Sequence, residues 1–146
     1  MRTLGIDYGT RRVGIALSDE GGKFATPIDV LNVTAPEQAT NQILALIAKE
    51  AVERLLVGVP LNMDDTIGPA ARGAIAWARE LADRAKIPLI LVDERLSSFE
   101  AGQQLSERKR GGERLTHKRK KEQLDALAAA NLLQAFLDGR LAALEV

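Results

Sequence analysis

An α/β fold on a mixed five-stranded sheet is predicted by three observations along the chain. The first third alternates apolar residues with small or polar ones, as half-buried strands do: Leu4 and Ile6, then Val13, Ile15 and Leu17. The middle holds two short continuous apolar runs, Leu55-Leu56-Val57-Gly58-Val59 and Leu89-Ile90-Leu91-Val92, which read as buried strands. Each of these runs follows a stretch of helical periodicity, so they join the sheet in parallel after an antiparallel start. Three strands, then alternating helices and strands, then two helices make a mixed sheet with helices on its faces.

The first two strands, near 2–8 and 12–19, form a hairpin with Gly9 to Arg12 in its turn. Gly21-Gly22 marks the next turn, and Phe24 to Val33 supplies a third strand, with Pro27 favouring an edge. Pro36 and Glu37 open a helix reaching about Glu53, with Ala39, Ile43, Leu46 and Ile47 on one face. After the strand at 55–60 and a loop from Leu61 to Gly68, a second helix spans about Pro69 to Ala85. Its stripe is Ala71, Ile75, Ala78, Leu81 and Ala82; Trp77 lies beside the stripe and reads as a packing residue. The strand Pro88 to Val92 leads into a short helix from Ser98 to about Glu107, capped by Ser97 or Ser98. Gly111-Gly112 breaks that helix, and a last one runs from about Lys118 to Leu137, ended by Gly139.

The 146 residues fit a single domain over 1–146, with 46% hydrophobic and 27% charged residues. No apolar run approaches the roughly 18 residues that span a bilayer, and the start has no signal-peptide pattern, so a cytoplasmic protein is expected. The absence of cysteine excludes disulfides, thiolate metal sites and a cysteine nucleophile. The net charge of zero conceals an uneven distribution. Between Arg108 and Lys121 stand eight bases (Arg108, Lys109, Arg110, Arg114, Lys118, Arg119, Lys120 and Lys121) against one acid, Glu113. A concentrated positive field of this kind attracts phosphate backbones. With 3% aromatic residues, extensive base stacking is not expected. The plainer reading of the segment is a solvated charged loop.

Three carboxylates occupy special places. Asp7 lies on the first strand, where an acid facing a sheet needs a partner or a cation, unless it caps the turn. Glu94, beside Asp93, stands at the carboxyl end of the last strand, where ligands gather in open α/β sheets. Asp125 falls within an apolar stretch of the last helix; its alternative is a surface pair with Lys121, one turn back. Clustered carboxylates suit Mg²⁺ or Mn²⁺, and two such ions about 4 Å apart can activate water against a phosphodiester.

Four motifs, in order over nearly the whole chain, resemble the YqgF family, also called RuvX. They are Gly5-Ile6-Asp7-Tyr8-Gly9 with Arg12-Val13-Gly14-Ile15-Ala16 and Ser18-Asp19; Val57-Gly58-Val59-Pro60-Leu61-Asn62; Asp93-Glu94-Arg95-Leu96-Ser97-Ser98; and Asp125 with Ala128-Ala129 and Leu132-Leu133-Gln134. This family comprises bacterial proteins described as Holliday junction resolvases and pre-16S ribosomal RNA processing nucleases. The resemblance implies an RNase H-like fold and metal-dependent hydrolysis of phosphodiesters, with Asp7, Glu94 and Asp125 as catalytic acids that hold Mg²⁺ or Mn²⁺. Whether Asp93 or Glu94 is the main ligand stays open. Arg12 and Arg95 match basic motif positions and are implied phosphate contacts, as is the basic segment. Asp65 stands where glycine is common, and Ser97-Ser98 replace the more usual threonines. His117, the only histidine, reads as a surface residue.

Two other classes are considered. Asp7-Tyr8-Gly9-Thr10 also looks like the phosphate loop of the actin and sugar-kinase group, but those proteins close two such halves around a nucleotide and need more than twice this length. A non-catalytic nucleic-acid-binding module would use the basic segment alone; acids near a phosphate-binding surface oppose that unless cations neutralise them. The implied partner is nucleic acid, RNA or branched DNA, with no membrane, and the chain is expected as a monomer or homodimer.

Overall fold

The computed structural model describes residues 1–9, 11–32, 36–96 and 117–144, and the side chains of all of these except 36, 96 and 117–125. Five strands form one sheet: β1 (Thr3–Tyr8), β2 (Arg12–Ser18), β3 (Ala25–Asn32), β4 (Arg54–Val59) and β5 (Leu89–Asp93). Their spatial order is β3-β2-β1-β4-β5. The first three pair antiparallel, whereas β4 pairs parallel to both β1 and β5. Helix α1 (Pro36–Lys49) leads from β3 to β4, α2 (Pro69–Ala85) connects the parallel pair β4 and β5, and α3 (His117–Leu137) follows. The mixed sheet is the predicted one; the predicted helix from Ser98 to Glu107 lies outside the described residues.

Strand alternation divides the sheet into two faces. Leu4, Ile6, Val13, Ile15, Leu55, Val57, Val59 and Leu91 bury against α1 and α2 through Ile43, Ile47, Ile75, Ala78 and Leu81. Ala16, Leu56 and Val92 bury against Ala129, Ala130, Leu132 and Leu133 of α3 on the other face. Helix α1 ends earlier than its periodicity suggests. Ala51 turns left-handed at φ 52°, and the Val52 N–H reaches back to the Ile47 carbonyl at 3.0 Å, which swings Val52 into the core. Trp77 packs as predicted: its ring stacks on Tyr8 at 4.5 Å between centroids, and its Nε1 donates to Thr40 Oγ1 at 3.0 Å.

Helix α3 runs antiparallel to β1. Its carboxyl-terminal half meets the amino-terminal ends of the strands, where the Arg54 guanidinium lies over the Phe136 ring at 5.0 Å. Gln134 Oε1 accepts the Ala25 N–H at 2.8 Å, and its Nε2 donates to the Lys23 carbonyl at 2.9 Å. The amino-terminal turns of α3 therefore point to the carboxyl ends of β1, β4 and β5. Beyond α3 the chain folds back along β5, where the Leu144 N–H donates to the Leu91 carbonyl at 2.7 Å. No described helix is long and apolar enough to cross a membrane.

Candidate active site

Asp7 sits one residue before the end of β1, on the face covered by α3. Its register partners are Gly14 on β2 and Gly58 on β4, so neither flanking strand raises a side chain beside its carboxylate. The hairpin that carries it is closed by the Gly9 N–H donating to the Arg12 carbonyl at 2.9 Å. A Cβ on Gly9 would lie 2.7 Å from that carbonyl oxygen, which is why the tight return needs glycine there. Arg12, half-buried, opens β2.

Alternation separates the two acids at the end of β5. Asp93 shares the parity of Leu89 and Leu91 and faces α1 and α2. Glu94 enters a short 3₁₀ turn (Glu94–Leu96) and returns to the α3 face, where its Cβ lies over Gly58, 2.9 Å from where a Cβ on that glycine would stand. There the Glu94 and Asp7 side chains hydrogen-bond. Burial, that hydrogen bond and the negative charges of Asp7 and Asp93 push the Glu94 carboxyl up to about 9. Of the two adjacent acids, Glu94 is the one that meets Asp7.

Asp93 is engaged elsewhere. Both its oxygens accept from Arg95 Nε at 3.0 Å, Oδ2 accepts from Nη2 at 2.6 Å, and Oδ1 accepts the Arg95 N–H at 3.0 Å. The Arg95 guanidinium holds this carboxyl below the usual carboxylate range. Arg95 also donates through Nη1 to the Asn62 carbonyl at 2.7 Å and through Nη2 to Asp65 Oδ1 at 2.5 Å. The resemblance implied a phosphate contact for Arg95; the structure shows all three of its nitrogens bound within the protein. Asp65 and Asn62, 30 and 33 residues away, had no assigned role in the sequence. Gly14 and Gly58 were likewise visible only as motif glycines, although a glycine inside an apolar strand run marks a close approach.

Asp125 belongs to α3, four residues before Ala129 and seven before Leu132, the residues that approach Gly5 and Gly58. Those spacings are one and two helical turns toward the carboxyl ends of the strands. Its side chain lies outside the described residues, as do those of Lys118, Arg119, Lys120 and Lys121. Arg108, Lys109, Arg110 and Arg114 lie outside them altogether. Among the described side chains no group of three or more acids or histidines comes together, so the observed constellation is the Asp7–Glu94 pair.

The model of the family described as "RuvX: Holliday junction resolvase" matches residues 1–139. A protein of Opitutus terrae named "Putative pre-16S rRNA nuclease" is 45% identical over 141 residues, covering 96% of this chain and 93% of that one. One with the same name from Anaeromyxobacter sp. (strain Fw109-5) is 42% identical over 140 residues, covering 96% and 98%. The solved structure of Thermus thermophilus RuvC superposes with a TM-score of 0.61 at 16% identity, over 99% of this chain and 100% of that one. That likeness shows a shared RNase H-like fold. With the family model matching residues 1–139 and relatives up to 45% identical over nearly the whole chain, the chain belongs to the RuvX family.

Proposed function

We propose that this protein is a metal-dependent nuclease that hydrolyses phosphodiester bonds, acting on the 5′ end of pre-16S ribosomal RNA. The observation that carries the reading is the Asp7–Glu94 pair: two carboxyl groups hydrogen-bonded to each other at adjoining strand ends, over a glycine. Such a pair is unfavourable as a structural device and favourable as a site for a cation. The names of relatives at up to 45% identity support ribosomal RNA as the substrate. The family description keeps four-way DNA as the second reading.

The donor set fits a hard divalent ion. The described acids offer oxygen only, and the missing side chain at Gly58 leaves the Glu94 stem room to lie against the strand. Asp7 and Glu94 would hold Mg²⁺ or Mn²⁺, with Asp125 completing the set from α3. When bound, such ions lower the pKa of water and stabilise developing negative charge at a phosphate, and we favour a two-ion arrangement. The chain's own part is to gather the carboxylates: β1 fixes Asp7 through its pairing with both neighbours, and the 3₁₀ turn fixes Glu94. Arg12 and the basic segment from Arg108 to Lys121 would hold the phosphate backbone, supplying affinity and register without reading bases.

The test is cleavage of labelled single-stranded RNA, a 16S precursor end and a four-way DNA junction by wild type and Asp7→Asn, with Mn²⁺, Mg²⁺ or EDTA. Wild type is expected to cut the precursor end only with metal. Asp7→Asn should cut at least ~10²-fold more slowly, the scale expected for losing a group that stabilises charge in the transition state. Preferential cutting of the junction would move the assignment to resolution. Binding of every substrate without cutting would reduce the protein to a nucleic-acid-binding module.

A further inference from the structure

The turn after β5 carries a cation that the fold uses internally. Arg95 is 30% exposed, and it bridges Asp93, 15% exposed, and Asp65, 79% exposed. Its third partner, the Asn62 carbonyl, also accepts the Asp65 N–H at 2.9 Å. The loop between β4 and α2 is itself folded. The Asn62 N–H donates to the Thr66 carbonyl at 3.0 Å, Asn62 Nδ2 donates to Thr66 Oγ1 at 3.0 Å, and Asp64 Oδ1 accepts the Thr66 N–H at 3.2 Å. Asp65 takes a left-handed backbone at φ 67°, a conformation residues with a Cβ rarely adopt, and from there its carboxylate reaches Arg95. Arg95 is thus what joins this loop to the residue next to Glu94.

We propose that Arg95 is a positioning residue of the nuclease reaction, tying the Asn62–Thr66 loop and the Asp93 carboxylate to the turn that presents Glu94, and so fixing Glu94 beside Asp7. The inference rests on the nuclease reading above. Glu94 lies between the two residues that share the most hydrogen bonds in the network, so a shift of its backbone strains the Asp93–Arg95 fork. Two carboxylates face the guanidinium, so the group as a whole offers a phosphate no net positive charge. The task needs a planar fork with donors in three directions, which lysine, a point charge on a flexible stem, cannot supply.

Arg95→Lys and Asp65→Asn discriminate this role from phosphate contact. Cleavage kinetics with Mn²⁺ on the 16S precursor end, salt-dependent binding of the same RNA, and amide hydrogen exchange would be measured on the full chain. Arg95→Lys is expected to lower kcat about tenfold, the scale of a small misplacement of a reacting group, with KM within about twofold. The salt slope of binding stays unchanged, and exchange rises at residues 61–68 and 93–96. Asp65→Asn moves kcat and exchange the same way by less. A higher KM and a salt slope reduced by about one in Arg95→Lys, with tighter binding by Asp65→Asn, would overturn the proposal in favour of a phosphate contact. If wild type cuts nothing, the nuclease reading fails by itself. Exchange in Arg95→Lys then still decides on the tie, and an unchanged pattern refutes it.

Discussion

Glu94→Gln is expected to abolish metal-dependent cleavage while making the metal-free protein more stable. Glutamine keeps the shape of the side chain and can still hydrogen-bond Asp7, but it cannot ionise. In the metal-free fold the Glu94 carboxyl is held up near 9, against an ordinary value of 4.5. Between those values the folded chain binds more protons than the unfolded chain, so stability falls as pH rises through that window. Each unit is worth about 1.4 kcal/mol in a fully screened-off site. Partial solvent access at the strand ends reduces the gain from glutamine to about 1–2 kcal/mol near neutral pH. That corresponds to a rise in Tm of roughly 3–6 °C. Cleavage should fall by about 10³-fold, because the amide is a poor ligand for a hard cation. Calorimetric melting without metal from pH 6 to 9 checks the first part: wild type loses Tm as pH rises and Glu94→Gln loses much less. An unchanged or lower Tm, with cleavage retained, would remove Glu94 from the site. The same linkage predicts that Mn²⁺ binding to wild type releases a proton and tightens with rising pH. Titration calorimetry in two buffers of different ionisation enthalpy reads that directly.

Gly58→Ala should lose both stability and activity, and Gly5→Ala mainly stability. A Cβ at Gly58 would stand 2.9 Å from Glu94 Cβ and 2.9 Å from Leu132 Cδ2. A Cβ at Gly5 would stand 2.9 Å from Leu133 Cβ and 3.4 Å from the Ala129 carbonyl oxygen. Both press α3 away from the sheet, and overpacking of this kind costs about 1–3 kcal/mol. Only the first also pushes the stem of Glu94, and a misplacement near 1 Å at a reacting centre is worth about 10²-fold in rate. Denaturant melts paired with cleavage rates separate the two effects. Equal loss of activity in both variants would show that α3 placement, rather than the Glu94 stem, governs the rate.

The sheet was legible because its strands announce themselves locally, by alternation in β1 and β2 and by apolar runs in β4 and β5. Asp7 and Glu94 were legible as acids at strand ends. The choice between Asp93 and Glu94 was not, because it depends on which residue shares its parity with the face under α3, and that is fixed by pairing with β4. The internal partners of Arg95 were hidden for a related reason. Asn62 and Asp65 come from another loop, and no spacing within Asp93-Glu94-Arg95 reveals them. The early end of α1 turns on a left-handed alanine, a conformation the residue type gives no reason to expect. The cations from Arg108 to Lys121 are plain in the sequence, but their side chains lie outside the described residues.

The fold-back of the last described residues along β5 bears on how copies of this chain can assemble. An uncovered strand edge is adhesive, since its row of donors and acceptors will accept another strand. Here the Leu144 N–H occupies the Leu91 carbonyl on the outer side of β5, with Leu141 and Leu144 packed at the two faces. The opposite margin, β3, is blunted differently. Pro27 has no N–H to offer, and the register slips between Ile15 and Ala16, so the strand bulges at Ile28. Among the described residues, both margins are interrupted in this way, which makes them poorer templates for strand addition. If a symmetric substrate such as a four-way junction calls for two copies, their contact is to be sought on helices and loops, and not in a sheet continued from one molecule to the next.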